Sequence, residues 1–209
     1  MMTNPVGDGA TPVGPALRDA KRVLRERVLA ARDALPPSMR AAAALAIAAR
    51  IAALPSFARA RTVLMTLPFR SEWDTLPLAR TALDAGKIVA VPRVDARARM
   101  LELRVIADPV ADVATGYQGI PEPRLECPLL APTAIDWVLV PGVAFDFDGA
   151  RMGYGGGFYD RLLPLVPASA PRVAGAFELQ IVAHVPAAPH DLAVDAIVTE
   201  ARTIVPASR

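Results

Sequence analysis

A chain of 209 residues that is 53% hydrophobic and 21% charged can bury one full core, so a single domain is expected. The formal net charge of +2 gives no argument for a nucleic-acid partner. No apolar run reaches the roughly 18 residues needed for a membrane span. Cys127 is the only cysteine, which excludes an internal disulfide and suits a reducing, cytoplasmic setting.

Residues 1–15 are small and polar with prolines and glycines. They lack the charged-then-apolar layout of a secretion signal and read as a disordered tail ahead of one domain, residues 16–209. A helix is expected over residues 16–35, because Leu17, Leu24, Val28, Ala31 and Leu35 fall at helical spacing. Lys21, Arg25 and Arg32 form a neighbouring stripe. Spacing alone favours a solvated basic face for it. Lys21 is nevertheless one of two lysines in a chain whose cations are otherwise arginine, and a compact ammonium suits a phosphate.

Ser38 is placed to cap a second helix running to Leu54, with Pro55 beyond it. Residues 62–67 are β-branched and apolar and predict a buried strand. A loop over 68–75 carries Glu72. A helix over 76–85 is stopped by Gly86, and a strand over 87–91 is stopped by Pro92. This strand–helix–strand unit implies parallel pairing. Further strands are expected at 100–105, 137–140, 172–177 and 196–199, with an edge pairing at 203–205. Residues 110–132 read as an irregular excursion and 185–190 as a proline-rich turn. The alternation predicts an α/β fold of three layers, a mostly parallel sheet with helices on both faces.

The stretch with most chemical content is Arg151-Met-Gly-Tyr-Gly-Gly-Gly-Phe-Tyr-Asp-Arg161. It stands between a strand and the start of a helix. Glycines there can hold backbone N–H groups around an anion, and a tight turn needing positive φ is the other reading. No Gly-Lys-Ser/Thr follows, and Phe158 stands where a dinucleotide fingerprint needs glycine. Glu72, Asp160, Asp191 and Asp195 all lie near strand ends. Each alone could be a turn or cap residue, but two beside a phosphate loop would suit Mg²⁺. His184 and His190 show no pairing with Cys127 or a serine, so no protein nucleophile is expected. No zinc spacing occurs.

These segments together resemble the 5-formyltetrahydrofolate cyclo-ligase (methenyltetrahydrofolate synthetase) family. The resemblance is carried by Pro141-Gly-Val-Ala-Phe-Asp146, then Gly149, then the glycine stretch. Shorter matches in the same order are Lys21-Arg-Val-Leu-Arg25, Glu72-Trp-Asp-Thr75, Gly119-Ile-Pro-Glu-Pro123 and Asp191-Leu-Ala-Val-Asp-Ala-Ile-Val-Thr-Glu200. The resemblance implies a sugar-phosphate isomerase/CoA-transferase-like layered fold. It implies ATP- and Mg²⁺-dependent closure of 5-formyltetrahydrofolate to 5,10-methenyltetrahydrofolate. The formyl oxygen would take the γ-phosphoryl group, nitrogen-10 would attack the resulting iminium phosphate, and phosphate would leave.

By motif position, Lys21 and Arg25 would contact ATP phosphates. Arg151, Met152, Gly153, Tyr154, Gly155, Gly156, Gly157, Phe158 and Tyr159 would wrap the nucleotide. Tyr154, Gly155, Gly156, Gly157 and Phe158 would also face the folate, with Leu67 and with Glu72 on the pterin edge. Asp160 and Asp195 would hold Mg²⁺. The chain departs from the pattern at Tyr154 and Gly156, where some members carry lysine or arginine. It departs again at Gln118, beside Tyr117, where the family often has an aromatic. A monomer with no membrane or nucleic-acid partner is expected. The alternative is a non-catalytic nucleotide- or RNA-binding relative of the same fold.

Overall fold

The computed structural model of the protein describes residues 14–188 and 191–207. Residues 1–13 of the expected tail, and His190, lie outside the described residues. The elements in order are α1 (Pro15–Asp33), α2 (Pro37–Ala52), α3 (Pro55–Arg59), β1 (Thr62–Leu64), α4 (Leu76–Asp84), β2 (Ile88–Asp95) and β3 (Met100–Ile106). There follow β4 (Val113–Thr115), β5 (Pro121–Pro123), β6 (Leu129–Leu130), β7 (Trp137–Leu139), β8 (Ala144–Phe145) and β9 (Arg151–Met152). The chain closes with α5 (Phe158–Leu162), β10 (Arg172–Gly175), β11 (Ala196–Val198) and β12 (Thr203–Ile204).

Eight of these strands form one sheet in the order β12-β11-β10-β7-β1-β2-β3-β6. The run from β11 to β2 is parallel, and β12, β3 and β6 join it antiparallel. Side chains alternate across this sheet as the pleat requires. Val63, Val89, Trp137, Leu139, Val173 and Val198 pack towards α2, α3 and α4. Leu64, Ala90, Val138, Ala174 and Ile197 pack on the opposite side with Leu162 and Leu163, at the end of α5. The result is a three-layer α/β fold. No helix among the described residues is long and apolar enough to cross a membrane.

Two local expectations are corrected. Ser38 does not cap α2: the helix starts two residues earlier than such a cap would place it, at Pro37, with Pro36 in the cap position and no side-chain cap. A proline fits the first turn because its missing N–H would have had no partner there. Pro55 opens the short helix α3 for the same reason. Pro92 does not end β2. Pairing with β1 stops at Ala90. On the other side Val105, opposite Ala90, donates its N–H away from β2 to Pro128 O. The 90/105 and 92/103 positions are therefore the pairs that exchange no hydrogen bond, so a proline costs the ladder nothing there.

The position of α1 matters most for function. It packs against residues 178–180 and against β8, both reached from the C-terminal ends of parallel strands. Ligands of open α/β sheets bind at that edge. Leu24 and Val28 on α1 form a small core with Val143, Ala144, Met152 and Val185.

Candidate active site

The segment after β7 folds as a small ribbon, β8 with β9. Asp146 holds it together. Its buried carboxylate accepts N–H groups of Asp148 at 3.1 Å, Ala150 at 2.9 Å and Val185 at 2.9 Å. The ribbon delivers Gly153 to Gly157 as an open loop that leads into α5. Gly155 has φ +102° and Gly157 has φ +65°, conformations that side-chain-bearing residues rarely adopt. Gly153 and Gly156 carry no positive φ. The loop is therefore partly a tight turn and partly exposed backbone.

Three cations of α1 reach this region, because Lys21, Arg25 and Arg32 share one helical face. Arg25 donates from Nε to Gly153 O at 3.0 Å. Lys21 is ion-paired through Nζ with Asp191 Oδ2. Arg32 is only 1% exposed. The solvated-face reading of this stripe is thus overturned: the stripe lies against the sheet edge instead of facing water.

Arg32 belongs to a polar cluster with Glu72. It donates from Nε to Ser71 Oγ at 3.0 Å and from Nη2 to Tyr154 Oη at 2.7 Å. The Tyr154 hydroxyl donates in turn to Glu72 Oε1 at 2.9 Å, and Phe69 N–H binds Glu72 Oε2 at 3.0 Å. Ser71 passes its own proton donation to Asp33 Oδ1. Burial pushes the Glu72 carboxyl above its ordinary value, against the opposing Arg32 charge and the hydrogen bonds from Tyr154 and Phe69. The Tyr154 hydroxyl is pushed up to about 12, by burial first and by the Glu72 charge second. Arg32, Glu72, Trp73, Thr75 and Gln180 border one small cavity.

The other end of the loop is held by Arg161 and Arg151. Arg161 donates from Nη2 to Gly156 O at 2.9 Å and lies over the Phe158 ring at 5.2 Å. The Tyr117 ring meets Phe158 edge-on at 6.0 Å, so an aromatic does stand beside the loop although Gln118 is exposed. Arg151 binds Asp160 through Nη2 at 2.5 Å, and its Nε has no partner. Tyr159 buries its hydroxyl, also unpartnered, and that burial raises its pKa strongly.

The structure therefore brings Lys21, Arg25, Tyr154, Glu72 and the loop glycines to one edge, with Arg151 and Asp160 alongside. Met152 is buried in the small core with Leu24 and Val28. Leu67 is 6% exposed and packs in the core beside α2 and α4.

Asp195 does not join Asp160. It immediately precedes β11 and accepts the Arg172 N–H at 2.7 Å at the start of β10. Those are the N-terminal ends of two parallel strands, the edge opposite the loop. Asp191, four residues earlier, is the carboxylate that meets α1. Sequence reasoning put Arg32 on the basic stripe without a role in the site, and passed over Ser71 and this placement of Asp191. The signal available for Arg32 was its i, i+7 relation to Arg25.

With this geometry in view, comparison with known proteins is informative. The sequence profile of the 5-formyltetrahydrofolate cyclo-ligase family matches residues 18–200. A 5-formyltetrahydrofolate cyclo-ligase of Mycolicibacterium smegmatis is 33% identical over 191 residues, covering 89% of this chain and 96% of the relative. The Escherichia coli K12 enzyme of the same name is 32% identical over 173 residues, covering 82% and 95%. Among solved structures, the 5,10-methenyltetrahydrofolate synthetase of Aquifex aeolicus superposes with a TM-score of 0.79 at 32% identity, covering 90% of this chain and 94% of that one. On this agreement of sequence, fold and site, the chain belongs to the 5-formyltetrahydrofolate cyclo-ligase family.

Proposed function

We propose that this enzyme converts 5-formyltetrahydrofolate to 5,10-methenyltetrahydrofolate, coupled to hydrolysis of ATP to ADP and phosphate, with Mg²⁺. The observation that carries this reading is the arrangement at one sheet edge of Lys21 and Arg25, the glycine loop and Glu72. Lys21 and Arg25 bind the nucleotide phosphates, and the loop backbone supplies N–H donors beside them. Phosphoryl transfer requires mainly positioning and charge neutralisation, so this donor set suits it. The formyl oxygen of the substrate is the nucleophile, and no protein nucleophile is needed. Glu72 accepts N–H groups of the pterin edge.

Mg²⁺, when bound with the nucleotide, neutralises phosphate charge. Such an ion takes one or two carboxylates and completes its shell with phosphates and water. Asp160 fits this: its carboxylate is oriented by Arg151 and remains 29% exposed. Asp191 is the carboxylate on the Lys21 side. Asp195 does not fit, being at the opposite edge.

The test is to mix the protein with 5-formyltetrahydrofolate, MgATP and buffer and to follow the near-ultraviolet absorbance of the methenyl product. Product is expected only when ATP and Mg²⁺ are both present. A folded protein that gives no ATP-dependent absorbance overturns the reading.

A further inference from the structure

Burying a guanidinium is costly unless each of its N–H groups is answered. Arg32 satisfies Nε with Ser71 and Nη2 with Tyr154, yet Nη1 has no hydrogen-bond partner. Such a group calls for a specific explanation. Arg32 borders the same cavity as Glu72, and that cavity has a rigid wall. Trp73 packs so closely on Gly175 that a Cβ there would fall 2.4 Å from the indole ring.

The Tyr154 hydroxyl shows what chemistry the pair recognises. In a single group it accepts from Arg32 and donates to Glu72. A ligand that replaced it would have to present an acceptor next to a donor. A ring lactam, –NH–C(=O)–, does this, and so does the 2-amino-4-oxo edge of a pterin. Its amino and ring N–H groups suit a carboxylate, and its 4-oxo group needs a donor that Glu72 cannot supply.

We infer that Arg32 is a specificity residue that donates to the 4-oxo group of the substrate ring while Glu72 accepts from the adjacent N–H, the Tyr154 hydroxyl occupying both groups when no substrate is bound. This inference rests on the folate reading above. It adds a second recognition group to Glu72, and the unanswered Nη1 leaves the guanidinium a donor to spare beside the one that the Tyr154 hydroxyl now holds. The Arg32 charge also opposes the effect of burial on the Glu72 carboxyl, which favours its role as an acceptor.

The test compares binding of 5-formyltetrahydrofolate and its 4-amino-4-deoxy analogue by calorimetry without ATP. It uses the wild-type protein and Arg32→Gln, whose amide can donate or accept, with folding checked by circular dichroism. The analogue offers a donor where Arg32 needs an acceptor. The ratio of the two dissociation constants is expected to shift towards the analogue by on the order of tenfold in the variant, the effect of one charge-assisted hydrogen bond. A general loosening of the site would weaken both ligands and leave that ratio unchanged. An unchanged ratio in a folded variant overturns the assignment. Arg32→Met is measured in the same way if the glutamine variant does not fold. If the wild-type protein binds neither ligand, the folate reading itself fails, and the assignment fails with it.

Discussion

Arg25 on the first helix donates to the backbone carbonyl of Gly153, across 128 positions of chain. The contact ties the first helix to the glycine loop and sets a cation where the loop turns. The edge of the Arg25 guanidinium lies 3.6 Å from where a Cβ of Gly155 would be. Arg25→Ala is expected to raise the KM for ATP by roughly 10- to 100-fold, the effect of losing a charge-assisted contact. The KM for 5-formyltetrahydrofolate should change far less. Steady-state kinetics with each substrate varied in turn checks this split.

Tyr154→Phe removes the hydroxyl that bridges Arg32 and Glu72. The free protein should lose about 0.5–1.5 kcal/mol of stability in urea denaturation, the net worth of a hydrogen bond. Substrate affinity should rise a few-fold, because Glu72 no longer has to be released before it can bind a ring edge. A drop in affinity would show that the hydroxyl contributes to the bound state.

Glu72 gives a pH signature. Burial holds its carboxyl above the ordinary 4.5, so the folded state favours the protonated form more than the unfolded chain does. Folding is then unaffected by this group below about pH 4.5 and is penalised as pH rises through the folded value. Glu72→Gln should therefore raise the melting temperature at pH 7 to 8, with the gain shrinking as pH falls towards 4.5. The same variant should lose most of its activity. Thermal melts across that range, set beside the turnover assay, measure both effects.

Asp195 and Asp160 should separate cleanly. Asp195→Asn retains an oxygen that can accept the Arg172 N–H, so it should leave turnover and Mg²⁺ dependence within about twofold of wild type and cost under about 1 kcal/mol. Asp160→Asn removes the charge beside Arg151 and should raise the Mg²⁺ concentration for half-maximal rate by about tenfold or more. Mg²⁺ titrations of both variants compare the two sites directly.

The strands and the glycine loop were legible because their signals are local. Residues 62–64, 137–139 and 196–198 are apolar and β-branched, and four glycines in five residues cannot sit inside a helix. Which of two carboxylates faces the site was not local. Asp191 and Asp195 both precede one strand, β11, and only the ladder, which begins at Ala196 opposite Val173, settles that Asp195 stays at the far edge. Arg32 was illegible for a related reason. A long basic side chain on a helical stripe looks the same in sequence whether the stripe faces water or a cleft. Ser71 and Tyr154, the groups that accept its hydrogen bonds, come from two separate segments far along the chain.

The first helix also acts as a ruler. Eleven residues separate Lys21 from Arg32, and at about 1.5 Å per residue that sets the two side chains roughly 16 Å apart along the axis. One end of the span holds a group assigned to phosphate and the other a group assigned to the folate ring. Adding one residue between them would turn everything beyond it by about 100° and carry Arg32 off the inward face. On those assignments the distance between the two substrates is written into the length of α1, and this helix should tolerate side-chain exchange on its outer face far better than any change in length.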